Sequence, residues 1–296
     1  MKDIEIYNKI RNENVAGFYK QKRGLIEVSG GEAVQFLDGL ITNDMKTLED
    51  GEEMLAAFPN AKGRLLAVVG VLRKGDKFLF ETEDATHQKI FDNLFRFTFA
   101  GDFKVEDLSE NFVSYRFFSE TDNPELPEES IVISENYFVK DQFAEDFEKS
   151  LKEKDFIQIS ADLYETLRIE AGILKYGIDM DEETVVPETG LENLISYNKG
   201  CYIGQEVIAR IHFRGRVAKE LKGLIFEDEN PEIKPADEIK SSEDKNAGFL
   251  TSVTFSPEIG KTIALAYIRN AFSEEGTKLK IGDYAAAVKN LPFIKN

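Results

Sequence analysis

From Lys219 onward the chain changes period. "KELKGLIFE", "AGFLTSVTFS", "KTIALAYIR", "TKLKIG" and "YAAAVKNLPF" are short apolar-rich runs, each closed by a turn signal. Every buried backbone N–H and C=O needs a partner, so a succession of short strands must pair with one another. The pattern therefore restricts this part of the chain to a small β-barrel or sandwich, with a domain boundary near residue 220. A chain of 296 residues also exceeds one ordinary hydrophobic core, so two or three domains are expected.

Upstream, helices and strands mix. "GLIEV" at 24–28 reads as a strand. Ser29, with Glu32 three residues later, is a candidate cap for a helix whose core face is Ala33, Val34, Phe36, Leu37 and Leu40. Residues 54–81 read as two strands, with turns at Pro59–Gly63 and at "RKGD" before "KFLFE". "THQKIFDNLFRFTF" (86–99), "DQFAEDFEKSLKEK" (141–154) and "ADLYETLRIEAG" (161–172) read as helices, the last ending at Gly172. Residues 119–130 read as an exposed loop, and 173–198 are turn-rich and acidic.

Composition narrows the function classes. With 42% hydrophobic and 31% charged residues, the chain belongs with soluble globular proteins. It shows no apolar run of membrane-span length, and residues 1–20 lack the features of a secretory signal or transit peptide. One cysteine forms no internal disulfide, which fits a reducing compartment; the expected location is cytoplasmic. A net charge of −18 repels DNA and anionic membranes at long range, so neither is an expected partner. A polyanionic ligand would need a local basic patch. Residues 207–222 supply one, with Arg210, Arg214, Arg216, Lys219 and Lys222 against the single acid Glu220.

That patch follows the only cysteine, in "NKGCYIGQEVIAR" at 198–210. A free cysteine is most often a small buried hydrophobe. Here Gly204 precedes what reads as a helix start, with Glu206 and Arg210 spaced i, i+4. A thiol just before a helix N-terminus, two residues from Lys199, would be favoured as the thiolate. Gly200 and Gly204 would let a ligand come close. Residues 208–217 fit either a helix or a strand, and Arg210 and Arg214 share a side in both, suited to a carboxylate or phosphate. His87 and His212 are far apart and no C-x-x-C or H-x-x-x-H spacing occurs, so no metal site is expected. Walker and G-x-S-x-G patterns are absent as well.

These residues carry a resemblance. "KGCYIGQE" at 199–206 resembles the signature of the folate-binding YgfZ family, related to the T-protein (aminomethyltransferase) of the glycine cleavage system. "LRIEAGILKYGIDMDEETVVPE" (167–188), "GFLTSVTFSPEIGKTIALAYI" (248–268), "FLDGLITND" (36–44) and "NAKGRLL" (60–66) resemble other parts of the same proteins, and "LPF" (291–293) resembles their last strand. The likeness spans nearly the whole chain and is weakest over about 103–160.

The resemblance implies an α+β fold in which three domains form a ring around a channel that holds tetrahydrofolate. On this chain the first domain would comprise 1–50 plus 145–220, the inserted α+β domain 51–144, and the C-terminal β-barrel 221–296. It implies that Glu170 grips the pterin, since one carboxylate can accept both bonds from the ring's paired N–H and amino donors. The expected cofactor-binding set is Glu170, Tyr202, Gln205, Glu206, Arg210 and Arg214, the two arginines meeting folate's anionic tail; the expected working residues are Cys201 and Lys199. One departure stands out. T-proteins carry an acidic pair after their N-A-x-G turn, where this chain has Ala67 and Val68. Without that carboxylate, aminomethyl transfer loses its polar assistance. The resemblance then implies folate-dependent support of iron–sulfur cluster assembly or repair, and through it tRNA modification, with iron–sulfur enzymes or cluster carriers as partners. A folate-dependent one-carbon transferase and a ligand-free docking module are the alternatives.

Overall fold

A computed structural model describes residues 2–119, 124–191, 193–228 and 230–294, with the backbone but not the side chain of Arg214. In chain order the elements are α1 (Asp3–Asn12), β1 (Gly17–Gln21), β2 (Arg23–Ser29), α2 (Ala33–Leu40), β3 (Glu53–Pro59), β4 (Leu65–Lys74), β5 (Lys77–Glu83) and α3 (Asp84–Phe95). Then come β6 (Lys104–Asp107), β7 (Phe112–Phe118), β8 (Ile131–Ile133), β9 (Asn136–Lys140), α4 (Asp141–Glu153), β10 (Ile157–Gln158), α5 (Ala161–Glu170) and α6 (Gln205–Arg214). The chain finishes with β11 (Lys219–Phe226), β12 (Glu238–Ser241), β13 (Asn246–Ser256), β14 (Lys261–Arg269), β15 (Lys278–Ile281) and β16 (Tyr284–Lys289).

The last six strands close into a barrel in the order β11-β14-β13-β12-β15-β16. Closure removes the edges that isolated short strands would expose. Its core is Leu224, Phe226, Ile239, Leu250, Ala264 and Ile268, among others. Leu291–Phe293 is not a strand; Phe293 packs where Gly223 has no side chain, and its N–H donates to the Glu170 carbonyl at 2.9 Å.

Two five-stranded sheets make up the rest, ordered β3-β4-β5-β2-β6 and β10-β1-β7-β9-β8. Both draw strands from either side of residue 50: β2 pairs with β5, and β1 pairs with β7. α2 and α3 cover the first sheet, burying Leu37 and Ile90 against Ile26, Val69 and Phe80. Each of these side chains contributes about 1.5–3 kcal/mol by leaving water.

Ser29 does not cap α2. It stays in β2, paired with Lys104, and the chain then turns through Gly30 at φ +118°, where a Cβ would meet the Asp102 carbonyl oxygen at 2.3 Å. The helix starts after Glu32, whose carboxylate instead accepts from the Asp102 N–H at 2.7 Å. α3 stops at Phe95, short of residue 99, because the chain bends to pack Phe97 into the core. α4 and α5 lie where their periodicity places them, and Gly172 follows α5 at φ +68°. Of the loop expected over 119–130, residues 120–123 lie outside the described residues. No helix is long and apolar enough to cross a membrane among the described residues.

Candidate functional site: a central cavity and a surface thiol

The two sheets face each other across a space closed by the segment after α5. That segment leans on the barrel, where Leu174, Met180 and Val186 pack with Leu221, Ile263 and Leu265. The space has an inner chamber of about 230 Å³ and an outer one of about 510 Å³, and Arg23, Glu83, Tyr164, Ile173 and Leu174 line both. Leu55, Val68, Met180 and Leu191 form apolar walls of the inner chamber. Lys20, Lys22 and Lys175 line the outer one. Lys20 is paired with Glu148 and Lys175 with Glu165, so Lys22 is the lysine of that mouth without an ion pair among the described residues, placed to meet an anionic ligand. A larger groove of about 770 Å³ lies over Leu79, Leu108, Phe112 and Ile131. Its Lys77 and Lys140 are each bound to a rim glutamate, and it shares no lining residue with the cavity, so size alone does not recommend it.

Strand alternation puts polar groups on the cavity floor. On β4, Ala67, Val69 and Val71 enter the core, while Val68 and Gly70 line the chamber. The cavity-facing position after the 60–63 turn is thus a valine. The carboxylates come from the next strand, as Glu81 and Glu83 of β5. Arg23 of β2 lies opposite Glu83 and donates from Nε to Glu81. Glu83 accepts the Tyr176 N–H at 3.0 Å and forms no ion pair among the described residues. Burial raises its carboxyl above the usual range, against the opposing pull of Arg23 and the Tyr176 N–H. Tyr164 stacks on Tyr19, ring centroids 4.3 Å apart.

Glu170, the expected pterin anchor, is placed elsewhere. Its carboxylate is fully buried and accepts from Tyr7 Oη at 2.8 Å, from Arg11 Nη2 at 3.0 Å and from Ser256 Oγ. These bonds tie α1, α5 and the barrel together and use the acceptor capacity that the resemblance reserves for a ligand. Two residues earlier, Arg168 is a second junction. It donates to Asp179 Oδ2 at 2.8 Å and to Ser252 Oγ at 2.9 Å, and Asp179 Oδ1 accepts from Thr251 Oγ1 at 2.7 Å. "LRIEAGILKYGIDMD" thus holds the barrel to α5.

The cysteine stretch forms a second, separate region. Cys201 is exposed, and Gly200 beside it has nothing within 4 Å of where a Cβ would stand. Its two anchors point inward. Tyr202 is buried beside Ala57, Leu65 and Ile208, and burial pushes its phenol up to about 12. Lys199 enters a polar cage at the C-terminal end of α2. Its ammonium donates to the carbonyl oxygens of Asp38 at 2.7 Å, Ile41 at 3.0 Å and Asn43 at 2.6 Å, and lies 3.0 Å from Asp38 Oδ1. Cations belong at helix C-termini, where carbonyls lack intrahelical partners.

Lys199 is therefore not available to the thiol, which corrects the expectation that it activates Cys201. Burial pulls the Lys199 ammonium below the usual lysine range, against Asp38. Burial also works to raise the Asp38 carboxyl, but hydrogen bonds from Lys199 and Lys46 hold it below the usual carboxylate range. The cage was readable in part: an aspartate between Leu37 and Gly39 on an apolar helix calls for a buried cation, but not for a particular one.

α6 resolves the helix-or-strand ambiguity as helix, beginning after Gly204 at φ +80°, where a Cβ would meet the Asn60 carbonyl oxygen at 2.4 Å. Cys201 thus sits four residues ahead of the first helical residue, outside the first turn where the helix dipole acts. Gln205 donates from Nε2 to the Gly200 carbonyl at 3.3 Å, while Glu206 and Arg210 are exposed. The Arg214 side chain lies outside the described residues. None of Cys201, Tyr202, Gln205, Glu206 or Arg210 lines the central cavity, so the structure does not bring them together with a ligand held there. Among the described residues no group of three or more His, Cys, Asp or Glu is placed to hold a metal ion. Sequence reasoning missed Arg23, Glu81, Glu83 and Tyr164. Their only signal is "FETE", two acids two apart on a strand, which put both on one side.

Known proteins resemble this chain along much of its length. Residues 219–295 match the glycine cleavage T-protein C-terminal barrel domain. An aminomethyltransferase of Thermoanaerobacter pseudethanolicus is 26% identical, over 96% of this chain and 86% of its own length. A protein of Mycosarcoma maydis described as iron-sulfur cluster assembly factor IBA57 homolog, mitochondrial, is 26% identical over 69% of this chain and 55% of its own length. The crystal structure of glycine cleavage system aminomethyltransferase T from Bartonella henselae has the same fold, with a TM-score of 0.86 and 20% identity over 99% of this chain and 90% of that one. Barrel, fold and relatives together support placing this α+β chain in the T-protein/YgfZ superfamily, with likeness to transferases and to a cluster assembly factor alike.

Proposed function

We propose that this chain is a tetrahydrofolate-binding protein that supports iron–sulfur cluster assembly or repair, and thereby tRNA modification, with Cys201 as its working thiol. One observation carries the reading. The cavity presents Val68 where a transferase would present an acid, while the single cysteine is held on the surface by inward-facing neighbours. A cavity with apolar walls, a carboxylate and Lys22 at its mouth supports a ligand of folate's chemistry. When bound, tetrahydrofolate supplies a one-carbon carrier. The chain's residues bind and orient it, and the walls exclude water from the ring. One thiolate cannot hold a cluster alone, so Cys201 would act transiently, as a ligand shared with a cluster carrier or an iron–sulfur enzyme. The likeness to an iron-sulfur cluster assembly factor supports that choice of partner. The proposed location is the cytoplasm.

The second reading, a folate-dependent aminomethyl- or methyltransferase, draws on the likeness to an aminomethyltransferase along 96% of the chain. Anaerobic calorimetry with tetrahydrofolate, paired with complementation of a deletion strain by Cys201→Ala, separates the two. Saturable binding by wild type and by the variant, with loss of cluster-enzyme activity only in the variant strain, is expected. Full activity in that strain would sink the thiol's role. Turnover of a one-carbon donor by the purified protein would favour the transferase.

A further inference from the structure

A folate-type ring presents neighbouring N–H and amino donors, and one ionised carboxylate accepts both. The expected carboxylate, Glu170, is fully buried on Tyr7, Arg11 and Ser256 and lines neither chamber. Glu83 stands where the two chambers meet. It is the N-cap residue of α3, yet its side chain caps nothing and turns to the Tyr176 N–H. That single backbone bond leaves acceptor capacity on a carboxylate with no ion pair among the described residues. A half-buried acid with one backbone donor and no ion pair among the described residues is costly to keep ionised, which makes it a candidate ligand contact.

The groups facing Glu83 are Arg23 on β2, Glu81 on its own strand, and Arg168 on α5. Arg23 is engaged by Glu81, and Arg168 by Glu165 and Asp179. Val68 and Leu174 supply apolar wall beside it, and Lys22 in the outer chamber is exposed. A ring held inside would leave its anionic tail at Lys22, since Lys20 and Lys175 are paired with Glu148 and Glu165.

Resting on the folate reading above, we propose that Glu83, in place of Glu170, accepts the paired donor edge of the ligand's ring, orienting the tail toward Lys22. The ionised form is the one that accepts both bonds. Because burial favours the neutral acid, binding at a pH low enough to protonate Glu83 releases a proton, so affinity falls as the pH is lowered.

The test is anaerobic calorimetry of the full chain with tetrahydrofolate, over a range of pH and in buffers of different ionisation enthalpy. Glu83→Gln keeps an acceptor for Tyr176 and is expected to fold. It should weaken binding at least about tenfold and abolish the buffer-dependent proton release. Glu170→Gln, where it folds, should bind within about threefold of wild type, since its carboxylate lines neither chamber. Wild-type binding that is unchanged in Glu83→Gln, with proton release intact, overturns this assignment and leaves the folate reading standing. No binding by wild type overturns both.

Discussion

At the scale of single residues, Lys199 and Cys201 illustrate how neighbours divide labour. Lys199 sits in a cage of one carboxylate and three carbonyls, whereas Cys201 meets solvent. Lys199→Met leaves Asp38 buried without its main cation, so urea unfolding should show a loss of about 3–5 kcal/mol. Cys201→Ala should stay within about 0.5 kcal/mol of wild type in the same assay, because an exposed thiol contributes little packing. The Asp38 carboxyl is held below its unfolded value. Its contribution is therefore full above the unfolded value, near about pH 4, and is lost as the pH falls through the folded value. Stability measured against pH should drop in that acid window, and Asp38→Asn should flatten that part of the slope while lowering stability at neutral pH.

At the scale of elements, the start of α6 is set by one glycine. Gly204 combines a φ of +80° with close approach to the Asn60 carbonyl. Gly204→Ala should cost at least about 2 kcal/mol, read from the urea midpoint, since it meets both left-handed strain and a backbone clash. Gly200→Ala, with open space around it, should be near neutral, within about 0.5 kcal/mol. The alternation of Ile211, Phe213, Gly215 and Val217 is strand-like by periodicity alone. The helix forms because Ile208 is buried and Val207 packs over Gly63, contacts made by a turn distant in sequence; Phe213 is left 68% exposed. The same competition moved the start of α2 away from Ser29, which the sheet claims first.

At the scale of the molecule, the barrel is fastened to the rest by buried polar junctions as well as apolar packing. Arg168 and Asp179 are both almost fully buried and bridge α5, the segment after it, and β13. Asp179→Ala strands the Arg168 guanidinium and should cost about 3–5 kcal/mol in equilibrium unfolding. That loss reaches the cavity too, because Arg168 and Leu174 line its outer chamber.

Much of this was legible in the chain itself. Strand and turn periodicity locate the barrel from β11 on, apolar spacing locates α4 and α5, and the absence of an acid at residues 67 and 68 is visible without any structure. These are local properties, encoded within a few residues of one another. The direction in which a charged side chain points is not local. Glu170 and Glu83 are equally plain glutamates in sequence, and only the packing of α1 and the barrel closes one while the meeting of two sheets opens the other. Lys199 likewise reads as the companion of the cysteine two residues on, until α2 brings Asp38 and three carbonyls to its ammonium. A buried charge takes whichever partners the fold delivers, because leaving it unsatisfied costs several kcal/mol, and those partners come from far along the chain.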